Sequence, residues 1–207
     1  MVKNSMPGQD DCRQFDPDLV GLSRQGHIHW SVHYQPTAAS TQDLARQAAA
    51  AGAAEGWTVV TDWQEAGRGR LGRAWVAGAG SDLLFSTVLR PPGPLLSLLP
   101  LLAGVAIAEG LRIATGLQAD LKWPNDLLVD ERKLAGILLE RGGSTDVVVG
   151  VGMNVNSVKA GLPAGTTSVA VSLGRPVSRE RLLGSMLEQL DHALAQTATE
   201  GTGWIVR

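Results

Sequence analysis

Residues 67–75, which read G-R-G-R-L-G-R-A-W, combine three glycines, three arginines and a tryptophan. Glycine lets backbone N–H groups approach a ligand closely, and arginine supplies planar, charge-assisted donors for carboxylate or phosphate. Tryptophan adds a flat face for stacking. The segment therefore predicts an anion-binding loop. A solvated basic turn, or an Arg/Gly tract that binds RNA non-specifically, would have a similar composition.

The segment L-K-W-P-N-D-L-L-V-D also carries residues suited to chemistry. Pro124 cannot donate to a sheet ladder and favours extended geometry before it, so this segment predicts a strand that enters a bulge or turn. Asn125 and Asp126 are then either turn formers or oxygen ligands, with Lys122 beside them. Lys133 begins the next apolar run. If its side chain points inward it needs an anionic partner, whereas an outward one would simply end a turn in water.

Ser40 and Thr41 precede an alanine-rich run that ends near Gly52 and Gly56. Hydroxyl residues at this position are typical helix N-caps, so we expect a helix to begin at one of them. Capping alone would explain both side chains. The free N–H groups of a helix N-terminus also suit an anion or a polar ring, so a ligand contact here is physically reasonable.

The elements that position these residues follow from hydrophobic patterning. Alternating or β-branched runs predict strands at residues 29–34, 57–63, 82–89, 132–140 and 146–151. An apolar helix is predicted at residues 95–113, where Pro100 is tolerable only near the first turn. A final helix is predicted to follow a Ser178 cap. The strand at 57–63 runs directly into the glycine–arginine loop, which suits a site at a strand end.

Composition limits the class of protein. The chain has 207 residues with 44% hydrophobic and 18% charged, a globular mixture sufficient for one substantial domain. Its net charge of −2 disfavours bulk nucleic-acid binding. The single cysteine, Cys12, excludes an intrachain disulfide and suits a reducing cytoplasm. The apolar stretch 95–108 is shorter than the roughly 20 residues of a spanning helix, so no membrane association is expected.

Five segments occur in the order and approximate spacing found in biotin–protein ligases: S-T-Q, Q-E-A-G-R-G-R-L-G-R-A-W, K-W-P-N-D-L-L, R-K-L-A-G-I-L-L-E and V-G-V-G-M-N-V-N. The resemblance covers about residues 30–194. It implies an enzyme that makes biotinyl-5′-AMP from biotin and ATP and passes biotin to a lysine of a biotin carboxyl carrier domain, such as that of acetyl-CoA carboxylase. It also implies an α+β fold like that of class II aminoacyl-tRNA synthetases, with a mixed, largely antiparallel sheet flanked by helices.

The resemblance assigns roles by matching position. It implies catalytic roles for Lys133, Arg70 and Asp126, with Lys133 bridging the biotin carboxylate and the α-phosphate. The biotin-binding residues that it implies are Ser40, Thr41, Gln42, Gln64, Gly67, Arg68, Gly69, Arg70, Lys133, Gly136, Leu138 and Gly150. Those implied for ATP or the adenylate are Arg70, Arg73, Trp75, Lys122, Asn125, Asp126, Lys133 and Asn154. Asp126 and Asn154 would hold Mg²⁺ together with phosphate and water.

The sequence departs from the family pattern at two places. Gln42 occupies a position where relatives usually have asparagine, so ring contacts there should shift. Many relatives also continue into a C-terminal SH3-like barrel, which we expect to be absent, as we do an N-terminal DNA-binding domain. We therefore expect an irregular leader at 1–23 and a catalytic domain at 24–207. The resemblance implies a monofunctional cytoplasmic ligase that does not bind DNA and that can form a homodimer, as family members often do.

Two other functions compete with this interpretation. A lipoate–protein ligase or octanoyltransferase would share the fold but lacks the G-R-G-R-x-G-R pattern. A catalytically weakened binder of biotin or its adenylate would need neither a phosphate bridge nor a metal ligand, so Lys133 and Asp126 argue against it.

Overall fold

A computed structural model of the chain describes residues 14–23, 25–142 and 145–205. Its strands are β1 (Ser31–Ala38), β2 (Trp57–Gln64), β3 (Leu83–Leu89), β4 (Asp120–Lys122), β5 (Asp126–Val129), β6 (Arg132–Arg141) and β7 (Val147–Met153). Its α-helices are α1 (Thr41–Ala50), α2 (Leu99–Thr115), α3 (Val169–Leu173) and α4 (Arg179–Glu200). Cys12 lies outside the described residues, and the division of the chain at residue 23 stays a prediction.

The seven strands form one sheet in the order β1-β2-β3-β7-β6-β5-β4. Only β1 and β2 pair in parallel, and the remaining neighbours are antiparallel. The predicted mixed, largely antiparallel sheet flanked by helices is therefore confirmed. The predicted first strand lies two residues further along, at Ser31–Ala38, and the segment containing Pro124 is a turn that joins β4 to β5.

The central strand, β7, shows how the two faces of the sheet differ. Because side chains alternate across a strand, every second residue enters the main core with α2 and α4. These residues are Val147, Val149, Val151 and Met153. On the other face, Val148 packs against α1 in a smaller cluster, and beyond it β7 presents only Gly150 and Gly152. That face therefore has room for a cavity beside α1.

The main core depends on close contact between α2 and α4. Gly110 in α2 faces the backbone of Met186 in α4, and a Cβ there would lie 2.6 Å from the Met186 Cα. Pro100 lies in the first turn of α2, where no intrahelical N–H is required. Among the described residues, we find no helix with the length and apolar character needed to cross a membrane.

A buried charge network joins the edge of the sheet to α4. Asp62 accepts a 2.6 Å hydrogen bond from the Tyr34 hydroxyl and lies 2.6 Å from the Arg179 guanidinium. The Arg179 side chain is only 4% exposed. Burial and the bond to Asp62 raise the pKa of Tyr34 to about 12. Phe15 packs against Arg179 and is itself buried, so residues preceding β1 contribute to this core.

Candidate active site

A cavity of about 500 Å³ lies on the open face of the sheet, between the N-terminus of α1, the turn between β4 and β5, and the loop at 67–75. Most of the residues assigned by resemblance line it. They are Ser40, Thr41, Gln42, Gln64, Arg68, Gly69, Arg70, Arg73, Trp75, Lys122, Asn125, Asp126, Lys133, Gly136, Leu138 and Gly150. Gly67 is buried at the base of the loop, and Asn154 lies beyond the end of β7; neither is among the lining residues.

One end of the cavity is a hydrogen-bonded network around the start of α1. Gln64 Oε1 accepts bonds from the Thr41 backbone N–H at 2.8 Å and the Thr41 hydroxyl at 3.1 Å. The Ser86 hydroxyl lies 2.9 Å from Thr41 Oγ1 and 3.0 Å from Gln42 Oε1. Ser40 is the predicted N-cap residue, but its side chain makes no capping bond. Ser40 is one of the lining residues, and its hydroxyl is not used to cap the helix.

Gln42 occupies a position where the resembled family usually has asparagine. Its longer side chain makes a contact with a neighbouring strand. Its Nε2 reaches β7 and donates to the Val148 carbonyl at 3.1 Å. This placement requires a glycine at position 150, because a Cβ there would lie 2.3 Å from Gln42 Oε1. The longer side chain thus bonds to the central strand, and the expected shift in ring contacts stays a prediction.

The indole of Trp75 rests on two glycines. Gly136 and Gly152 are directly opposite each other on β6 and β7. A Cβ would lie 3.0 Å from the Trp75 ring at Gly136 and 2.4 Å from it at Gly152. Larger residues at these positions would exclude the ring, so the paired glycines form its seat.

The loop at 67–75 folds as a small hairpin across the cavity mouth. Trp75 N–H donates to the Gly67 carbonyl at 2.8 Å, and Gly69 N–H donates to the Arg73 carbonyl at 2.7 Å. At its tip Leu71 has a φ of 57°, in the left-handed region that is unfavourable for most L-residues. Arg70 and Arg73, on either side of this tip, are exposed, whereas Arg68 is half-buried.

The three arginines of the loop have different partners. Arg68 Nη2 lies 2.6 Å from Asp43 of α1 and 3.1 Å from Glu140 of β6, so this side chain fastens the loop to the sheet. Arg70 Nη1 lies 3.4 Å from Asn125 Oδ1. In the described parts of the chain, neither Arg70 nor Arg73 pairs with a carboxylate. Both guanidinium groups thus have donors available for an anion.

Lys133 points into the cavity and has the anionic partner that an inward lysine requires. Its Nζ lies 2.7 Å from Asp126 Oδ1 and 5.5 Å from the centre of the Trp75 ring. Lys133 and Asp126 are both partly buried, with side-chain exposures of 34% and 25%. The ion pair holds an ammonium between the network around α1 and the loop.

The lining is strongly cationic for a chain with net charge −2. Its described ionisable residues are Arg68, Arg70, Arg73, Lys122 and Lys133, against Asp126 as the one acid, which gives a local balance of +4. Fixed cations around an enclosed space favour an anionic ligand, since the field there is screened less than in water.

The oxygens near Lys133 fit a magnesium ion that is held mainly by phosphate and water. Asp126 supplies one carboxylate and Asn125 one amide oxygen at the cavity wall. One or two carboxylates are a usual protein share for Mg²⁺. The Asn154 amide instead donates to the Thr167 carbonyl at 2.9 Å, outside the lining. Within the residues that the structure describes, no group of three or more His, Cys, Asp or Glu side chains is placed to hold a metal.

A buried carboxylate anchors the chain on both sides of the cavity. Asp82 accepts bonds from the Gly78 N–H at 2.8 Å, the Val155 N–H at 2.9 Å and the Ser157 hydroxyl at 2.8 Å. Burial raises the pKa of Asp82, although these bonds oppose the shift. Asp82 therefore ties the segment after the loop to the segment after β7.

Sequence reasoning missed several lining residues. Ser86 was hidden in an apolar run, and only the pairing of β3 with β7 turns its hydroxyl toward α1. Gly152 belongs to the V-G-V-G-M-N-V-N segment but has no role assigned by the resemblance. The other unassigned lining residues are Leu71, Ala74, Pro124, Ile137 and Val151. The alternation of side chains along β3 was the one available signal for Ser86.

Residues 35–154 match the Biotin/lipoate A/B protein ligase family. The chain is 41% identical over 148 residues to the Bifunctional ligase/repressor BirA of Bacillus spizizenii, covering 69% of this chain and 46% of that protein. It is 32% identical over 193 residues to the Biotin--[acetyl-CoA-carboxylase] ligase of Mycobacterium tuberculosis, covering 90% of this chain and 71% of that protein. The chain thus spans about half the length of the bifunctional relative.

The fold is similar to that of a solved biotin protein ligase from Aquifex aeolicus in complex with biotin and ATP. The TM-score is 0.71 at 31% identity, and the similarity covers 80% of this chain and 71% of the other. Because the family match spans more than half of the 207 residues, the chain belongs to the Biotin/lipoate A/B protein ligase family.

Proposed function

We propose that the chain activates biotin with ATP to form biotinyl-5′-AMP and transfers the biotinyl group to a lysine of a biotin carboxyl carrier domain, such as that of acetyl-CoA carboxylase. The observation that carries this proposal is the cavity lining, in which a neutral hydrogen-bonding network and five cationic side chains share one space. The names of the Mycobacterium tuberculosis and Aquifex aeolicus relatives support the choice of biotin and ATP.

Each end of the lining suits one part of the reaction. The polar groups of Ser40, Thr41 and Gln64 suit the ureido ring of biotin, which both donates and accepts hydrogen bonds. In the first step a biotin carboxylate oxygen attacks the α-phosphorus of ATP and pyrophosphate leaves. Two anions must meet, so the step requires fixed positive charge that strengthens as charge builds on the phosphoryl oxygens.

Lys133 lies where that charge develops. Its ammonium is partly buried and held by Asp126, so it needs little rearrangement to contact both the carboxylate and the phosphate. Arg70 and Arg73 at the mouth would neutralise the remaining phosphate oxygens. Mg²⁺, which Asp126 would hold, supplies further neutralisation of the phosphates when bound. We place this activity in the cytoplasm, because a chain with one cysteine suits a reducing compartment.

In the second step the neutral amine of the acceptor lysine attacks the acyl carbon of the mixed anhydride. An amide bond forms, AMP leaves, and the nitrogen loses a proton to solvent. The hairpin at 67–75 lies over the adenylate end and would keep water away from an anhydride that hydrolyses readily.

The test incubates the purified chain with biotin, Mg-ATP and a carrier domain, and measures biotinyl-AMP by mass spectrometry and carrier labelling by a shift in mass. We expect Lys133→Ala to form adenylate about 100-fold more slowly, the scale seen when one charge-stabilising donor is removed. Lys159→Ala is the matched control, since Lys159 is exposed and outside the cavity.

Two results would contradict the proposal in different ways. If the wild-type chain makes neither biotinyl-AMP nor labelled carrier, the enzyme assignment is wrong. If Lys133→Ala and the wild type form adenylate equally fast, the role of Lys133 is wrong while the assignment stands.

A further inference from the structure

Two large apolar side chains are exposed at the mouth of the cavity. Leu71, at the tip of the loop, is 89% exposed, and Trp123, in the turn between β4 and β5, is 72% exposed. Leu71 is itself a lining residue, and Trp123 lies between the lining residues Lys122 and Pro124. The two side chains therefore flank the opening through which any ligand of the cavity must pass.

The loop and the turn are in contact. Arg70, next to Leu71, places Nη1 3.4 Å from the Oδ1 of Asn125, two residues after Trp123. The apolar side chains thus belong to one continuous rim instead of two unrelated surface positions. Exposed apolar residues that cluster around a polar opening mark interaction surfaces more often than single scattered ones do.

The fold does not account for either side chain. Leu71 buries almost none of its surface, and its φ of 57° is unfavourable for a leucine, where glycine or asparagine would be relaxed. Trp123 likewise contributes little to the core at 72% exposure. Burial on contact with a partner would give both residues an energetic role that they lack in the isolated chain.

The charges around the rim indicate the chemistry of the partner. Arg70, Arg73 and Lys122 are exposed beside the apolar pair, and this cluster belongs to a chain with net charge −2. Tryptophan and arginine are the residue types most enriched in the energetic centres of protein interfaces. A rim of this kind complements a folded surface with a small apolar patch surrounded by carboxylates.

We propose that Leu71 and Trp123, together with Arg70, Arg73 and Lys122, form a docking rim for the acceptor protein. The proposal rests on the proposed function, because the acceptor lysine must reach an acyl group inside the cavity. A folded domain can deliver its lysine only if its surface comes within one side-chain length of the mouth. The docking rim is the surface it meets there, and acidic residues beside that lysine are the expected counterpart.

The test separates the two steps of the reaction. Pyrophosphate release with biotin and ATP alone measures adenylate formation, and labelling at varied carrier-domain concentration gives the KM for the acceptor. We expect Trp123→Ala to raise that KM about tenfold or more while adenylate formation stays within twofold. Leu71→Asn, which suits the left-handed backbone, should raise the acceptor KM about threefold. Raising the salt concentration should raise the wild-type KM.

The matched control is Ile113→Ala. Ile113 is 53% exposed on α2, on the opposite face of the sheet. Its substitution therefore removes exposed apolar surface far from the cavity mouth. Its acceptor KM should equal that of the wild type.

The failures are distinguishable. A wild-type chain without adenylate formation would refute the proposed function. A wild type that labels the carrier, with Trp123→Ala and Leu71→Asn keeping its acceptor KM, would overturn the docking rim alone. Loss of both steps in Trp123→Ala would also overturn it, because Trp123 would then act on the cavity. Sedimentation of a wild-type dimer that Trp123→Ala dissociates, with acceptor KM unchanged, would instead make this face an interface between copies.

Discussion

At one end of the cavity, Thr41, Gln42 and Ser86 are buried and hydrogen-bonded to one another or to backbone, whereas at the other end Arg70 and Arg73 are exposed on a loop. The first group is carried by α1, which packs directly on the sheet, and by β3, which is one of its strands. The second depends on a hairpin with three internal backbone hydrogen bonds and on the ion pairs of Arg68.

The difference follows from the charge of the ligand group that each end of the cavity would contact. Neutral hydrogen-bonding groups can be preformed at low cost because they satisfy one another before a ligand arrives. Several cations held together without an anion repel one another, so a rigid arrangement of them would destabilise the chain. We infer that the neutral end is preformed and that the cationic end closes when phosphate is present.

The largest expected effect is that of Gly150→Ala on the neutral end. The new Cβ would displace Gln42, which loses its bonds to Val148 and Ser86. A displaced Gln42 can no longer contact the ligand from the cavity wall, and loss of two ligand hydrogen bonds at roughly 1 kcal/mol each corresponds to about 30-fold weaker biotin binding, measurable by calorimetry. Gly161→Ala is the control, because no atom lies within 4 Å of its Cβ position. Unchanged biotin affinity would show that Gln42 does not contribute to ligand binding at the neutral end of the cavity.

Gly152→Ala should affect the cationic end of the cavity. Its Cβ would lie 2.4 Å from the Trp75 indole, which must leave its seat and carry the loop with it. We expect the KM for ATP to rise about tenfold while biotin affinity stays within twofold, since packing changes of this size cost roughly 1–3 kcal/mol. Equal loss of both ligands would mean that the two ends are not independent.

The rate at which trypsin cuts the loop should change by a smaller factor when ligand binds. Trypsin cutting at Arg68, Arg70 or Arg73 should slow several-fold when biotin and ATP are added, because closure protects the backbone. Mass spectrometry of the fragments identifies the bond cut. Cutting at an unchanged rate would count against closure.

Asp43→Asn should change the empty loop only slightly. Arg68 would keep Glu140 but lose its 2.6 Å partner on α1, and a partly exposed ion pair of this type contributes at most about 1 kcal/mol. We expect cutting without ligand to accelerate by less than about fivefold. A much larger increase would show that this ion pair, and not the ligand, holds the loop closed.

The smallest effect on the binding of either ligand is expected for Tyr34→Phe, which removes the hydrogen bond from the Tyr34 hydroxyl to Asp62 near the edge of the sheet. A folded-state pKa of about 12, above the ordinary value of 10.0, means that this tyrosine stabilises the chain fully below pH 10 and that the contribution is lost as pH rises through about 12. The wild type should therefore lose its stability advantage over Tyr34→Phe across that window, measured by urea unfolding. Tyr34 is the one tyrosine of the sequence, so tyrosinate absorbance reports its ionisation directly.

Local patterning predicted most elements, but it could not predict which strands meet. The runs at 57–63, 82–89 and 132–140 are strands because their β-branched and apolar residues fit a pleated sheet, and the apolar run at 95–113 overlaps most of α2, which begins at Leu99 and ends at Thr115. The pairing of β3 with β7 is a long-range contact that leaves no trace in either segment. The placement of Ser86 depends on that pairing, and the juxtaposition of Gly136 and Gly152 depends on the pairing of β6 with β7.

The site was predictable where a motif is continuous in sequence and less so where it is assembled in space. The partner of Lys133 follows from elementary electrostatics once the side chain points inward, and Asp126 provides it. The attachment of Arg68 to Asp43 and Glu140 was not predicted, because these carboxylates come from two distant elements. The position of Asn154 depends in the same way on a distant carbonyl, that of Thr167.

Gly150 and Gly152 are separated by one residue on β7, so the notch that admits Gln42 and the seat of Trp75 lie about 7 Å apart along an inextensible strand. Because β7 is the middle strand and pairs on both sides, this spacing cannot vary with movements of the loop. The strand therefore fixes the distance between Gln42 and Trp75 at these two positions. A molecule that contacts both Gln42 and Trp75 must have its two recognised parts joined by a linker of matching length, and analogues with a shorter or longer chain would lose one contact or the other.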